Sequence, residues 1–389
     1  MKKSFVSLLI LLASLVSAAQ PTPHPPDWSA IEHSISQKRN LGDTRNTLLL
    51  LKQQALDAGR WVEAARCYSD LLAIADKTTE DTLFFKNALF IDSILRQPRT
   101  APRLRVIMYL LKARRLSEYQ NGISQRGNRM LYHSYDPLHN YASMGLQELS
   151  DLIKQRLDTA LQLSPSFDDL PPEEWLWLSS DPFTFLFKPR FADLVYAERI
   201  NMAEGFFRGA VLEGDTTWLS FSQDAFIQLP DSTTLFTSRG RYIFSLYKQW
   251  IQFHQPGSPE AGYYIESLAR KYFYSNLSSD STIKNHYEHY LQTLLQSSWA
   301  AVRAHAVYQL CLAWNTDAKE YNPSFHRYGG YYDYSYRQQF DSSRRLLYVR
   351  ALNLYEAHRI LLDSFLFIKN VLEEAVANIR APELNISVY

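Results

Sequence analysis

Apolar residues recur at spacings of three and four along most of the chain from Trp28 onward. This is the period of an α-helix that buries one face. Only 13 glycines occur in 389 residues, which is few for an all-β protein with many tight turns. The pattern predicts an all-α fold, with helices over 48–58, 61–75, 83–96, 102–119, 139–163, 191–210, 240–254, 259–275, 281–296, 298–315 and 340–378.

Three stretches interrupt the helical pattern. Residues 164–190 are rich in Pro, Trp and Phe, which is too apolar for a disordered linker and predicts an irregular packed segment with short helical turns. Residues 213–238 are predicted to be poor in helix, and residues 320–339 to form a loop. We therefore expect an N-terminal helical repeat region over 28–212 and a C-terminal helical region over 213–378.

The clearest helix pair lies within residues 46–75. Gly59 is expected to end the first helix in the left-handed conformation, which glycine tolerates best. Ala64 and Ala65 provide small side chains where the second helix would approach a neighbour closely. Gly, Trp, Ala, Tyr and Leu at these offsets resemble the hinge and second helix of a tetratricopeptide repeat. We predict a tetratricopeptide-like helical array, an α-solenoid whose repeats are degenerate.

The first residues have the pattern of a secretory signal peptide. Lys2 and Lys3 precede an uncharged apolar run, and small residues follow it up to Ala19. The run is shorter than the ~20 residues that a membrane span requires. We therefore expect a signal peptide over 1–19 and a Pro-rich tether over 20–27. The mature protein would be exported to the periplasm or cell envelope, with no transmembrane segment after cleavage.

The last residues change from a helical to an alternating pattern. Pro382 is expected to stop the last helix, and Leu384, Ile386 and Val388 then alternate with polar residues. Alternation with a period of two is typical of a β-strand. The sequence therefore predicts that a β segment begins within 379–389.

Charge and cysteine content narrow the class of protein. The formal net charge of +1 lacks the excess of positive charge that is typical of proteins that bind nucleic acid. Cys67 and Cys311 both lie within helical apolar patterns. An exported protein can form a disulfide, but the placement of the two residues favours two buried free thiols.

No compact catalytic, cofactor or metal-binding motif is visible. Walker-type and dinucleotide-binding glycine patterns do not occur, and Ser143 lacks the preceding glycine of a nucleophile elbow. His286 and His289 are three positions apart, whereas the helical zinc-protease motif needs four, so we interpret them as surface histidines. His305 is expected to be a packed or capping histidine rather than a ligand. The expectation is a protein that is not an enzyme, with no cofactor and no metal.

Four acidic residues surround the Pro171–Pro172 pair and precede Trp175. A carboxylate pair in a loop could serve a glycosidase. Acidic residues before a helix also stabilise its N-terminal dipole, and we favour this helix-start role for Asp168, Asp169, Glu173 and Glu174.

A tyrosine-rich segment is the best candidate for contact with a ligand or partner. Tyrosine offers a large contact area at low entropic cost, and Gly329 and Gly330 would make the segment adaptable. The alternative is a loop folded back on the helices. The candidate contact residues are Tyr328, Tyr331, Tyr332, Tyr334 and Tyr336.

Three stretches resemble the N-terminal helical region of large bacterial envelope proteins of the alpha-2-macroglobulin family. They are 61–119, then 187–199, where a Pro is followed by an aromatic residue, an Asp and a helix, and finally 380–389. The resemblance implies that β-sandwich macroglobulin domains follow, and it implies a link to protease inhibition. In the family's thioester motif, the Cys is followed by Gly or Leu, then by Glu and then by Gln. Neither Cys67 nor Cys311 is followed in this way.

We expect a non-catalytic exported scaffold or interaction region that contacts protein partners or the remainder of a larger chain. The alternative is an exported tetratricopeptide-type module of the outer envelope that binds glycans or proteins. Modules of that type usually begin with a lipidated Cys, which is missing here. A third interpretation is an α-helical hydrolase with a scattered active site.

Overall fold

The structure, a computed structural model, describes residues 26–78, 83–126, 144–179, 189–206, 223–230, 236–254, 259–275, 281–320 and 334–380. These residues are mostly helical and contain no β-strand, which confirms the all-α class for this part of the chain. The predicted signal peptide and most of the predicted tether lie outside the described residues, as does the predicted β segment from residue 381 onward.

The chain divides into two compact units, Met1–Ser166 and Phe167–Tyr389. The boundary predicted at 212/213 falls in a segment outside the described residues. The helices of the first unit are α1 Trp28–Ser36, α2 Leu41–Asp57, α3 Trp61–Thr78, α4 Leu83–Leu95, α5 Pro102–Arg126 and α6 Leu146–Leu163.

Consecutive helices of the first unit pack on one another. In addition, α1 contacts α3, and α3 contacts α5. Ile31 and Ile35 of α1 share one buried cluster with Leu48 of α2 and Cys67 of α3. Gly59, between α2 and α3, has a φ of 70°, which confirms the predicted left-handed turn. Burial of each apolar stripe against the neighbouring helix therefore organises this unit.

Capping residues decide where two helices of the first unit begin. The Asp27 side chain accepts a hydrogen bond from the backbone N–H of Ala30 at 3.0 Å and starts α1. The Glu148 carboxylate accepts from the backbone N–H of Gly145 at 2.8 Å, so α6 begins at Leu146. The helix predicted over 139–163 included residues 144 and 145. That part of the prediction is wrong, because the backbone at Gly145 is extended and the cap starts the helix at Leu146.

The described part of the segment predicted over 164–190, residues 164–179 and 189–190, is irregular and packed with short helical turns, as predicted. Short 3-10 turns occur at Pro172–Glu174 and Leu176–Leu178, after one at Ser164–Phe167. The ring centroids of Phe167 and Phe191 lie 3.9 Å apart, and Trp175 lies edge-on to Phe191 at 5.3 Å. These rings are buried, so the segment is held by aromatic packing rather than by the backbone hydrogen bonds of a continuous helix.

The helices of the second unit follow this segment. They are α7 Phe191–Phe206, α8 Gln223–Gln228, α9 Ser238–His254, α10 Pro259–Ser275, α11 Ser281–Leu294, α12 Ala300–Glu320, α13 Tyr334–Ala357, α14 Arg359–Leu362 and α15 Leu366–Arg380. Among them, α9 packs on α7 and α10, and α10 also contacts α11 and α12. Two later helices, α13 and α15, pack on α12 and on each other.

Two predictions for the end of the chain are corrected. The loop predicted over 320–339 does not extend that far, because α13 begins at Tyr334; good helix formers follow from Arg337, whereas the glycine pair lies earlier. The single helix predicted over 340–378 is broken at His358 and at 363–365. At the second break the Asp363 carboxylate accepts a hydrogen bond from Lys369 Nζ at 2.8 Å, a side-chain contact across the junction of α14 and α15.

Within the described ranges, no helix is both long enough and apolar enough to cross a bilayer.

Candidate functional site

The predicted tyrosine contact site remains a prediction. Tyr328, Tyr331 and Tyr332 lie outside the described residues. The backbone places Tyr334 and Tyr336 in the first turn of α13, and their side chains are not described.

A small cavity in the second unit gathers chemically diverse side chains. Its volume is about 40 Å³, and Asp193, His254, Trp250, Ser179 and Tyr264 line it together with apolar residues. Asp193 and His254 are 6% and 4% exposed, so both ionisable groups are held inside the protein. We take this cavity as the candidate functional site.

The start of α7 fixes the Asp193 carboxylate. Asp193 is the third residue of the helix, and its Oδ2 accepts a hydrogen bond from the backbone N–H of Arg190 at 2.7 Å. This hydrogen bond is one half of a capping box. It satisfies a backbone N–H that the helix itself leaves without an acceptor. The Oδ1 atom of the same carboxylate is then directed toward α9.

Two donors one helical turn apart on α9 meet that oxygen. Trp250 Nε1 donates to Asp193 Oδ1 at 2.6 Å, and His254 Nε2 lies 2.5 Å from the same atom. Trp250 also stacks on Tyr196 of α7, with centroids 6.1 Å apart and an interplanar angle of 10°. The carboxylate and the stacked rings together join the first two turns of α7 to the last turns of α9.

Ser179, His254 and Asp193 line one cavity, which raises the question of a nucleophilic triad. A triad needs a carboxylate that orients a histidine and a histidine that reaches the serine. Asp193 does contact the ring of His254, but its carboxylate is shared with Trp250 and Arg190 as well. The cavity has room for about three water molecules. The arrangement fits a helix–helix clamp beside a small cavity.

A second serine and histidine pair lies deeper, between α10 and α12. The Ser267 hydroxyl donates to the backbone carbonyl of Tyr264 at 2.8 Å, so its oxygen accepts from His305 Nδ1 at 3.2 Å. The Gln309 amide lies 3.1 Å from His305 Nε2. These contacts select the neutral Nδ1–H tautomer, and burial lowers the pKa of His305 to about 3. His305 is packed, as predicted, and is not placed to deprotonate Ser267.

A fully buried ion pair lies on α10. Arg270 Nε donates to Glu266 Oε1 at 2.8 Å, and both side chains are buried. The guanidinium carbon of Arg270 lies 3.8 Å from the ring centre of Tyr290 and 5.0 Å from that of Phe226. The ion pair lies within α10, and the cation–π contacts of Arg270 join α8 and α11 to α10.

Glu204, near the end of α7, is the carboxyl group with the most strongly perturbed environment in the described part of the second unit. Its Oε1 accepts from the Tyr247 hydroxyl at 3.4 Å, and Arg239 donates to its backbone carbonyl at 3.1 Å. Burial raises the pKa of Glu204 to about 7, although the Tyr247 hydrogen bond and the Arg239 charge oppose that rise. A carboxyl group of this kind titrates near neutral pH.

The remaining candidate residues have simpler surroundings. Cys67 and Cys311 are buried free thiols, and burial raises the pKa of each to about 12. Such thiols are poor nucleophiles. His289 is exposed and His286 half-buried. In the part of the chain that the structure describes, no three His, Cys, Asp or Glu side chains are grouped to hold a metal ion.

Sequence reasoning missed the contact between Asp193 and the α9 residues Trp250 and His254. The capping spacing from Arg190 to Asp193 is visible in the sequence, as is the Trp and His pair one turn apart. Their meeting depends on which helices pack together, which the local pattern does not contain.

Comparison of the chain with protein-family models, curated protein sequences and solved structures gave no significant match.

Proposed function

We propose that the chain is an exported, non-catalytic helical scaffold, and that it forms the N-terminal part of an alpha-2-macroglobulin-like protein linked to protease inhibition. The packing order of the helices carries the scaffold proposal. Within each unit, contacts join helices that are neighbours or near neighbours in sequence. Sequence-local packing is the organisation of tetratricopeptide-like arrays, whose main role is to present surfaces to other proteins.

The buried polar groups support the same proposal. Asp193 joins α7 to α9, His305 joins α12 to α10 through Ser267, and Arg270 contacts rings on α8 and α11. Each of these groups makes at least one of its contacts between helices. Polar side chains used in this way specify the register of neighbouring helices.

The family part of the proposal rests on the three resembling stretches of sequence. If it is right, the reading frame continues beyond Tyr389 into segments that alternate apolar and polar residues with the period of strands. A stop codon directly after Tyr389 would contradict it. The scaffold proposal would survive that result, because it rests on the packing of the helices.

Hydrogen exchange tests the array organisation. Leu48 is fully buried between α1, α2 and α3, so Leu48→Ala removes contacts that only these neighbours share. In an array, amide exchange accelerates in α1–α4 while α9–α12 keep their protection. Equal acceleration throughout the chain would show a single cooperative domain and would contradict the array. Leu50→Ala, at an exposed position of α2, is the matched control.

Affinity gels test the alternative of a glycan-binding module. A scaffold that contacts only proteins shows no retardation on gels that contain soluble β-glucan, α-glucan or xylan. Retardation that disappears in a Tyr328→Ala, Tyr331→Ala variant would favour the alternative and would identify the tyrosine segment as the sugar-binding site.

A further inference from the structure

The size of the cavity beside Asp193 limits what it can hold. Its volume is about 40 Å³, and it is partly open to solvent. One enclosed water needs about 10–15 Å³, whereas a cavity of about 150 Å³ holds a benzene ring. A group of two or three non-hydrogen atoms therefore fits this cavity, and a sugar or an aromatic ring does not.

Apolar side chains form most of the cavity wall. Leu194 and Ala197 belong to α7, and Ala261 and Ile265 belong to α10. A wall of this kind accommodates the carbon atoms of a ligand, while a few polar groups fix its orientation. The polar groups here converge on Asp193.

Asp193 determines the charge of the cavity. Its carboxylate accepts from the Arg190 backbone N–H at 2.7 Å and from Trp250 Nε1 at 2.6 Å, and both of these donors are neutral. His254 is the only described lining residue that can carry a positive charge. A neutral His254 donates from Nε2 and leaves one net negative charge in the wall. Water screens a charge poorly at a buried position, so the cavity favours a cation.

Two aromatic rings form a further part of the wall, Trp250 from α9 and Tyr264 from α10. Trp250 stacks on Tyr196 with centroids 6.1 Å apart, and Tyr264 lies edge-on to His305 at 4.9 Å. These contacts fix the positions of both rings. Aromatic rings attract cations, and proteins use them to recognise ammonium groups.

We propose that this cavity binds the ammonium end of an alkylamine, with the nitrogen toward the Asp193 carboxylate and the carbon atoms along the apolar wall. Ethylammonium has the size that the cavity admits. The last three atoms of a lysine side chain, Cδ, Cε and Nζ, have the same size and charge. The ligand is thus a small free amine or a lysine of a protein partner, recognised by one chemistry. The proposal does not rest on the function proposed above.

Saturation-transfer difference NMR of the purified chain tests the proposal by comparing ethylammonium with ethanol. These ligands have equal numbers of non-hydrogen atoms and differ in charge at about pH 8, where amines are charged and an ordinary imidazole is neutral. The affinity that three atoms can supply sets a dissociation constant on the order of 1–10 mM for ethylammonium. Ethanol should bind about tenfold more weakly or worse, because it cannot neutralise the carboxylate.

Two variants separate the charge of the cavity from its space. Asp193→Asn keeps the shape of the side chain and removes its charge, so it should weaken ethylammonium binding about tenfold and leave ethanol binding unchanged. Ala197→Leu adds volume at a half-buried position of the wall and should abolish the binding of both ligands. Glu374→Gln, which removes one negative charge at an exposed position of α15, is the matched control and should change neither. Far-ultraviolet circular dichroism verifies that each variant is folded.

Competition by Nα-acetyl-lysine methylamide distinguishes the two sources of the ammonium group. Displacement of ethylammonium by this compound supports a lysine of a protein partner, and binding of ethylammonium alone supports a small free amine. The proposal is overturned if ethylammonium does not bind, or if it binds no better than ethanol. It is also overturned if Asp193→Asn and Ala197→Leu both leave ethylammonium binding unchanged.

Discussion

Asp193 and His254 lie sixty-one positions apart, yet the carboxylate Oδ1 of one is 2.5 Å from the imidazole Nε2 of the other. The same oxygen accepts from Trp250, so one buried carboxylate joins the start of α7 to the end of α9. Contacts of this kind determine which faces of the helices meet, and their loss should be measurable as lost stability.

Asp193→Ala should be strongly destabilising. It leaves the donors of Trp250, His254 and Arg190 without their acceptor in a buried site, at a cost of about 2–4 kcal/mol in the free energy of unfolding. Urea denaturation, monitored by far-ultraviolet circular dichroism, measures this loss of unfolding free energy. Asp193→Asn keeps one acceptor oxygen and should cost less than the alanine substitution. Equal stabilities of wild type and Asp193→Ala would show that the contact is not structural.

His305 should make stability fall in acid. Burial lowers its pKa from 6.5 to about 3, so the unfolded chain takes up a proton that the native protein excludes. The stabilising contribution is complete above pH 6.5 and declines as the pH falls toward 3. His305→Gln removes this titration, so the difference in unfolding free energy between the two proteins should change across this window. A difference independent of pH would contradict the buried neutral tautomer.

Glu204 should make the stability of the protein fall as the pH rises. Its pKa is raised from 4.5 to about 7, so the native protein retains a proton that the unfolded chain loses. Its contribution is complete below pH 4.5 and is lost as the pH rises to 7. Glu204→Gln cannot ionise, and its stability relative to wild type should rise between pH 4 and pH 8. Thermal unfolding at these two pH values measures this, and a constant difference would refute the prediction.

The buried ion pair of Arg270 and Glu266 on α10 should show a large coupling energy in the free energy of unfolding. Arg270→Met leaves the Glu266 carboxylate without its ion-pair partner, which should cost about 3–5 kcal/mol. Glu266→Gln in the same chain removes the uncompensated charge and should recover part of the loss. A double-mutant cycle from urea unfolding measures the coupling energy. Strictly additive effects would mean that the two side chains do not stabilise each other in the native protein.

Local signals predicted most of the helices. The 3.6-residue period located α9, α10 and α11 within two residues at each end, and Gly59 gave the turn between α2 and α3. These features depend on neighbouring residues alone, which is why the sequence reveals them. The breaks at His358 and 363–365 were missed, because the apolar period continues through them.

The polar contacts of the interior could not be predicted in the same way. The pairing of Lys112 with Asp92 joins α5 to α4, and that of Asp193 with His254 joins α9 to α7. Each needs two helices to pack at one register, and the many helices of the chain allow many pairings. The pattern shows that a residue faces inward, but the identity of its partner is set by tertiary packing.

Peptide mapping by mass spectrometry, on protein isolated from the cell envelope of its source, tests whether the chain is an exported helical scaffold at the head of a larger polypeptide. We expect a first residue of Gln20 and peptides that continue past Tyr389 into β-sandwich sequence. A protein that retains Met1 in the cytoplasm, or whose last peptide ends at Tyr389, would contradict it.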